Sequence, residues 1–384
     1  MSLICLSNVW TTNKSLVGTL ADIYNSSYVT YNQVHTNDVT AAAESDMGIN
    51  ASMNIHLEVP INIIEVEATN DTAHSTITSK NEIDDDNKKN IMTPPFSIID
   101  CIIYNGEPIL SARLKILNST IDRLCITEST VTHAGTKKEK LYKDLHADIF
   151  EPYKDKITWN VYEQPPDWEG KPGVAWQREK GSRNDIIHRI RVDVGNGALP
   201  PPERFVVVNT DADEIPEPTV LEELRPGKKW HADVMDHPMQ LEMPLFYFNY
   251  NWKAKIWKKG NVISGQHILD EREEHNMSKL RMQEKRRPGI PDAGYHLSYG
   301  SSVDDIIRKI ESSAHQEINK PKFKNREHIM KSITNEENLF YRGWEHLSHY
   351  DYKQLPDSLQ KVHEEICEMQ GVSPVTGKIP AQDI

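Results

Sequence analysis

The segment Phe205-Val-Val-Val-Asn-Thr-Asp-Ala-Asp-Glu-Ile-Pro216 runs an apolar stretch into three carboxylates, and Asp211-x-Asp213 has the spacing that could do chemistry. A buried strand ending there delivers both aspartates to its carboxyl end, the edge at which open α/β sheets bind ligands. Two like charges so close repel unless a cation lies between them. A hard divalent ion, Mn²⁺ or Mg²⁺, takes oxygen ligands and fills its other positions with water and phosphate, so the pair suggests a nucleotide diphosphate. In the competing reading both aspartates cap the turn before Pro216. Glu214 is open between a supporting acid near the metal and a helix-start residue beside Pro216.

Such a strand needs a sheet, and the sequence supplies one. Phe96–Tyr104, Arg123–Glu128, Ile157–Glu163 and Arg204–Asn209 read as strands, and the last is apolar enough to be buried on both faces. Between them, Glu107–Asn118 carries Ile109, Leu110, Leu114 and Leu117 on one stripe, and Ala175–Val194 makes a long helix that stops before a Gly- and Pro-rich loop. Alternating strands and helices predict parallel βαβ units. From Asp233 to Trp252 the period becomes two, which predicts a half-buried strand with Phe246, Phe248, Tyr250 and Trp252 on one face. The charged stretch Glu271–Arg287 reads as a solvated loop or helix, and Val303–Glu311, Arg326–Ile333 and Pro356–Met369 as helices.

The 384 residues carry a formal charge of -13, which makes nucleic acid and anionic membranes poor partners. Residues 1–95 hold twelve acidic residues, four lysines and no arginine, amid Asn, Thr, Ser and Ala. They read as a weakly ordered or disordered acidic extension, closed by Thr93-Pro94-Pro95. A catalytic domain over 96–370 and a tail over 371–384 follow. Cys5, Cys101, Cys125 and Cys367 form no C-x-x-C pair, which speaks against a structural zinc site and fits a reducing compartment. No run approaches the ~18 apolar residues of a membrane-spanning helix, and no export signal is visible. The expectation is a soluble, cytoplasmic protein as written, with a Golgi-like secretory location only if an anchor or signal is missing from this chain.

Two enzyme classes place D-x-D at a strand end. Haloacid-dehalogenase-like phosphatases carry it on their first strand with Thr or Val two residues on; here it falls on about the fourth, with Ile215 in that place. Nucleotide-sugar glycosyltransferases of the GT-A fold precede it with about 100 residues of βαβ, as between Phe96 and Asp211. Over roughly 96–360 the sequence resembles glycosyltransferase family 17, the β-1,4-mannosyl-glycoprotein 4-β-N-acetylglucosaminyltransferases. The resemblance rests on Ile99-Asp-Cys-Ile-Ile-Tyr-Asn-Gly-Glu107 with Leu110 and Arg113-Leu114, Ile121-Asp122, Glu128-Ser-Thr-Val-Thr-His-Ala-Gly135 and Lys137-Lys138. It continues in Trp176-Gln-Arg178-Glu179, Arg183-Asn184, Asp211-Ala-Asp-Glu-Ile-Pro216, Ala293-Gly-Tyr-His-Leu-Ser-Tyr299 and Lys309…His315-Gln-Glu317. Tyr295 departs from the tryptophan frequent in the family.

The resemblance implies a GT-A-type α/β fold, with a mostly parallel central sheet flanked by helices. It implies inverting transfer of N-acetylglucosamine from a UDP-sugar to a glycan or glycoprotein acceptor, with Mn²⁺ or Mg²⁺ as cofactor. Asp213 would hold the metal, with Asp211 on it directly or through ribose and water, and His296 or His315 could complete the shell. Arg183 with Asn184 would reach the diphosphate or orient the carboxylates, because guanidinium matches phosphate in a bidentate way. Tyr104, Asn105 and Glu128, at the same sheet edge, would bracket uridine and ribose, or else cap helices. Asp292 and Glu317 are candidates for the general base that inversion requires. Tyr247, Asn249 and Trp252 would either contact acceptor sugar or belong to the core. A non-catalytic nucleotide-sugar- or glycan-binding module on the same fold, and the phosphatase, remain the alternatives.

Overall fold

Val206 and Val208 point to one side of their strand and Phe205 and Val207 to the other, and all four are buried, as a central strand requires. The computed structural model describes residues 95–270, 276–282, 288–342 and 346–380; apart from residue 95, the expected N-terminal extension lies outside them. Four strands form a parallel block in the order β4-β1-β2-β3: β1 (Ser97–Ile103), β2 (Arg123–Ser129), β3 (Ile157–Tyr162) and β4 (Phe205–Asn209). Two helices supply crossovers that parallel pairing needs, α1 (Leu110–Leu117) before β2 and α2 (Ala175–Gly195) before β4. All four strands therefore end on one edge, with Tyr104–Glu107 following β1 and Thr210–Asp213 following β4.

Past Asn209 the expected mostly parallel sheet does not continue. β5 (Glu214–Pro216) is short, and β6 (Met239–Leu241), β7 (Met243–Tyr247), β8 (Trp252–Trp257) and β9 (Asn261–Ser264) follow one another at gaps too short for crossover helices. β9 pairs antiparallel with β4 and with β6, so the seven-stranded sheet, completed by β10 (Gly289–Ile290), is mixed. A second sheet of five strands, β12-β8-β7-β11-β5, includes β11 (Gly294–Ser298) and β12 (Ser348–His349), and only its β7–β11 pair is parallel. Gly294 makes the β5–β11 contact possible: its φ is 148°, and a Cβ there would sit 2.2 Å from the Ile215 carbonyl.

The same stretch of chain carries α3 (Met277–Arg281) before β11, α4 (Val303–Ser312) and α5 (Arg326–Thr334) between β11 and β12, and α6 (Asp357–Gln370) after β12. Ile306 and Ile310 of α4 and Ile329 and Ile333 of α5 pack with Leu245, Tyr247, Phe248 and Trp252. That covering corrects the expected half-buried strand over Asp233–Trp252. The strand breaks after Tyr247, turns at Phe248 with φ 64°, and returns as β8; both alternating sets of side chains are buried. Residues 371–380 also fold back, with Val372 buried and Asn251 Nδ2 donating to the Pro374 carbonyl at 3.0 Å. Among the described residues no helix is long and apolar enough to cross a membrane.

α1 begins at Leu110, three residues later than the pattern from Glu107 suggests. Gly106 has φ 87°, and the Glu107 carboxylate accepts from the Asn105 N–H at 2.8 Å, so the chain is in a turn there. Arg113 falls on the apolar face between Leu110 and Leu117, opposite Asp100, which shares the face of β1 that carries Ile98 and Ile102. Both charges are 1% exposed and pair in a bidentate way: Nε donates to Oδ2 at 2.8 Å and Nη2 to Oδ1 at 2.6 Å. Nη2 also donates to Thr210 Oγ1 at 2.6 Å, and Nη1 to the carbonyls of Asp211 and Glu214 at 2.9 and 2.6 Å. Removing one partner of a buried pair strands the other, so Arg113→Met should lower unfolding stability by roughly 3–5 kcal/mol. Urea unfolding checks this, and a loss below about 1 kcal/mol would refute it.

Candidate functional site

The acidic loop leaves β4 at the sheet edge and re-enters the fold as β5, so Asp211 and Asp213 face different sets of neighbours. Asp211, whose side chain is 32% exposed, is gripped by two guanidiniums: Arg183 Nη2 donates to Oδ1 and Arg281 Nη2 to Oδ2, both at 2.6 Å. Burial would raise its carboxyl, but Arg183 and Arg281 overcome that and lower it to about 2. Asp213 receives Lys309 Nζ on Oδ2 at 2.6 Å, while His296 Nε2 stands 3.6 Å from Oδ1. Burial is again outweighed, chiefly by the Lys309 ammonium and then by His296, which hold this carboxyl far below the usual range. Glu214 is fully buried and accepts from Arg281 at 2.7 and 2.8 Å and from Trp257 Nε1. The cations that separate these carboxylates are thus the protein's own side chains.

Arg281 and Lys309 are the residues that sequence reasoning left without a role. Arg281 lies in Glu271–Arg287, which read as solvated; in the structure α3 is held by its apolar side, with Met277 and Leu280 buried in the core beneath α2. Its signal was present in Asn276-Met-Ser-Lys-Leu-Arg281: an N-capping Asn, then apolar residues three apart. Lys309 sits on α4, between Ile306 and Ile310, and lines a cleft with Asn105, Glu107, Asp213, Tyr299 and Arg308. Burial raises the Glu107 carboxyl in that cleft, against the opposing pull of Lys309.

The other expected site residues divide sharply. Arg183 joins Asp211, and its Nη1 is buried with no hydrogen-bond partner among the described residues. Asn184 instead accepts from the Ser278 N–H at 3.1 Å, tethering α3 to α2. Asn105 lines the cleft and donates to Ser312 Oγ at 3.1 Å. Tyr104 is buried against His146 Nδ1 at 2.7 Å. Glu128 is fully buried, accepting from Lys138 Nζ and from the N–H groups of Tyr142 and Lys143, so it caps a short helix. Tyr247, Asn249 and Trp252 are core residues: Asn249 Nδ2 donates to Gln370 and Trp252 Nε1 to the Ile333 carbonyl. Their burial leaves them no surface for an acceptor.

The two base candidates also separate. Asp292 is exposed two residues before β11, whereas Asp213 adjoins Leu297 near the far end of that strand, about 10 Å along it from Gly294 at strand rise. Glu317 follows α4 and holds His315 Nδ1 at 2.5 Å. Partial burial would raise its carboxyl, but the hydrogen bond to His315 leaves it lowered. Asp211 has both oxygens engaged by arginine, which does not fit it to a metal; His315 has Nδ1 on Glu317, which leaves Nε2 as its one possible donor to an ion. Asp213 and His296 do fit one: donors 3.6 Å apart can both reach an ion at about 2.1 Å. Among the described residues no cluster of three or more His, Cys, Asp or Glu could hold a metal, so an ion here would take its remaining oxygens from substrate and water. A nucleophilic Asp211, as a phosphatase needs, has no oxygen free of a guanidinium.

Compared with known proteins, residues 73–370 match the family model described as Glycosyltransferase family 17. The match begins inside the stretch that composition alone sets apart. No match is found among curated proteins.

Because Asp211 binds its proton less readily in the fold than in the unfolded chain, its contribution to stability is complete above about pH 4 and disappears as the pH falls through about 2. The stability difference between the protein and Asp211→Asn, from urea midpoints, should be constant from pH 7 to 5 and shrink steadily between pH 4 and 2. A difference that does not change below pH 4 would contradict this.

Proposed function

The chain belongs to glycosyltransferase family 17, and we propose that it moves N-acetylglucosamine, or a related sugar, from a UDP-sugar to a hydroxyl of a glycan or glycoprotein acceptor, with inversion. Glycosyl transfer comes with the family; the donor, the stereochemistry and the metal are our reading. The observation that carries it is the convergence of Arg183, Arg281 and Lys309 on an aspartate pair at the carboxyl edge of a parallel block.

The leaving group is a diphosphate, and negative charge grows on its oxygens as the anomeric C–O bond breaks. Arg183 offers that charge a buried, unpartnered Nη1, and Lys309 offers an ammonium that Asp213 keeps in place. Asp211 holds each guanidinium by one N–H on one oxygen, so they need not reorganise when charge appears. A divalent ion, Mn²⁺ or Mg²⁺, held by Asp213 and His296, would add neutralising charge on the same diphosphate when bound. Glu317 takes the acceptor hydroxyl's proton; the oxygen forms its bond to the anomeric carbon from the face opposite the leaving group, and the electron pair departs with the β-phosphate. The configuration inverts because the displacement is a single one. Asn105 and Glu107 bound the cleft on the donor side.

Incubation with UDP-N-acetylglucosamine, Mn²⁺ and neutral glycans should release UDP and give a β-linked product. Asp213→Ala should cut turnover at least about 10²-fold, a loss typical of removing one preorganised charge stabiliser. Folded protein that binds UDP-sugars but releases UDP from none would instead identify a non-catalytic binding module.

A further inference from the structure

The acceptor must dock somewhere, and the aromatic residues that the sequence offered for it, Tyr247 and Trp252, are core. We propose that Trp176, with His315 and Glu317, forms the platform that seats the acceptor's sugar ring; this rests on the glycosyl-transfer reading above. Trp176 is 40% exposed and is the only tryptophan among the described residues that counts as an exposed large apolar side chain. A single exposed apolar side chain is ordinary on a surface, and a seat for a sugar also needs polar groups that converge beside it. Here they do: its ring lies 4.5 Å from that of His315 at 83°, and His315 Nδ1 is 2.5 Å from Glu317 Oε1.

The platform is continuous with the cleft. His315 follows the end of α4, where Ser312 accepts Asn105 Nδ2 on its hydroxyl and the Ala134 N–H on its carbonyl, at 3.1 Å each. Ser312 lines the cleft with Asp213 and Lys309. α2 sets the spacing on the other side. Trp176 and Arg183 are seven residues apart, two helical turns, so they share a face at a separation of about 10 Å. Glu179 stands between them and accepts from Arg183 Nη2 at 3.2 Å. A diphosphate at Arg183 then leaves room for one donor hexose before the platform.

The chemistry selects the occupant. An indole beside a carboxylate and an imidazole offers an apolar face for the C–H face of a pyranose and hydrogen-bonding groups for its hydroxyls. The Glu317 carboxylate disfavours a phosphate or another anion at the same place. The ring seated here is therefore a neutral hexose or hexosamine, with the hydroxyl that reacts turned toward Glu317.

Two measurements on the intact protein test this with methyl hexopyranosides as probes. In steady-state transfer from UDP-N-acetylglucosamine, Trp176→Ala should raise the acceptor KM about tenfold and leave the donor KM within about twofold, with Trp176→Phe recovering most of the loss. In saturation-transfer NMR without donor, the protein should bind at least one hexopyranoside, and Trp176→Ala should weaken that binding by a similar factor. Equal binding by the protein and Trp176→Ala, no hexopyranoside binding at all, or a KM change confined to the donor, would overturn the platform. Hexopyranoside binding that depends on Trp176 without any UDP release would uphold the platform and overturn the transfer reaction.

Discussion

One guanidinium holds the site to the fold. Arg113 is buried on the apolar face of α1, where a positive charge would be severely destabilising alone. It is tolerated because Asp100 faces it from β1, and because its remaining N–H groups find Thr210 and the carbonyls of Asp211 and Glu214. A charge that needs five acceptors fixes all the segments that provide them. The loop between β4 and β5 is thereby tied to the first strand and the first helix, the two elements joined by the turn whose Asn105 and Glu107 line the cleft. Replacing the pair with well-packed apolar residues could preserve stability while releasing that loop, so its value here lies in position rather than in net energy.

Outside this buried anchor, the acidic loop is organised by charge. The chain as a whole is strongly acidic, yet Arg183, Arg281 and Lys309 are gathered at this one edge. Repulsion between Asp211 and Asp213 seemed to demand an external ion. In the fold each aspartate has its own cationic partners, so the loop is electrostatically balanced before any ligand arrives. The division of labour follows: Asp211 orients guanidiniums, while Asp213, with His296 nearby and Lys309 on its other oxygen, is the carboxylate that remains suited to an ion and a diphosphate. Arg281 also joins Asp211 to Glu214, which explains why a buried glutamate follows the pair directly.

Two helices divide the ends of the reaction between them. α2 carries Arg183 to the aspartates and Trp176 to the rim, and in the proposed reaction its rigidity would fix the distance between a diphosphate and an acceptor ring. α4 brings Lys309 to Asp213 and ends beside His315 and Glu317. The base candidate and the cation that sits on the aspartate thus come from one continuous segment, locked to the β1 turn through Ser312 and Asn105.

Local pattern was enough to place β1 to β4, α1, α2 and α4 to α6 within a few residues, because each buries a face whose period of 2 or 3.6 is written in consecutive residues. It was also enough to put Asp211 and Asp213 at a strand end on the carboxyl edge of the sheet, while Arg183 was singled out only by the family resemblance. It could not reveal which charges neutralise which, since Lys309 reaches Asp213 across 96 positions and Arg281 reaches Asp211 across 70. Nor could it separate a sugar-facing aromatic from a core one: Trp252 and Trp176 look alike in sequence, and only the packing of α4 and α5 over the second sheet buries the first. The short antiparallel strands after Asn209 were hidden for the same reason. Periodicity records which face is covered, and a segment covered on both faces by distant parts of the chain leaves no local trace of what covers it.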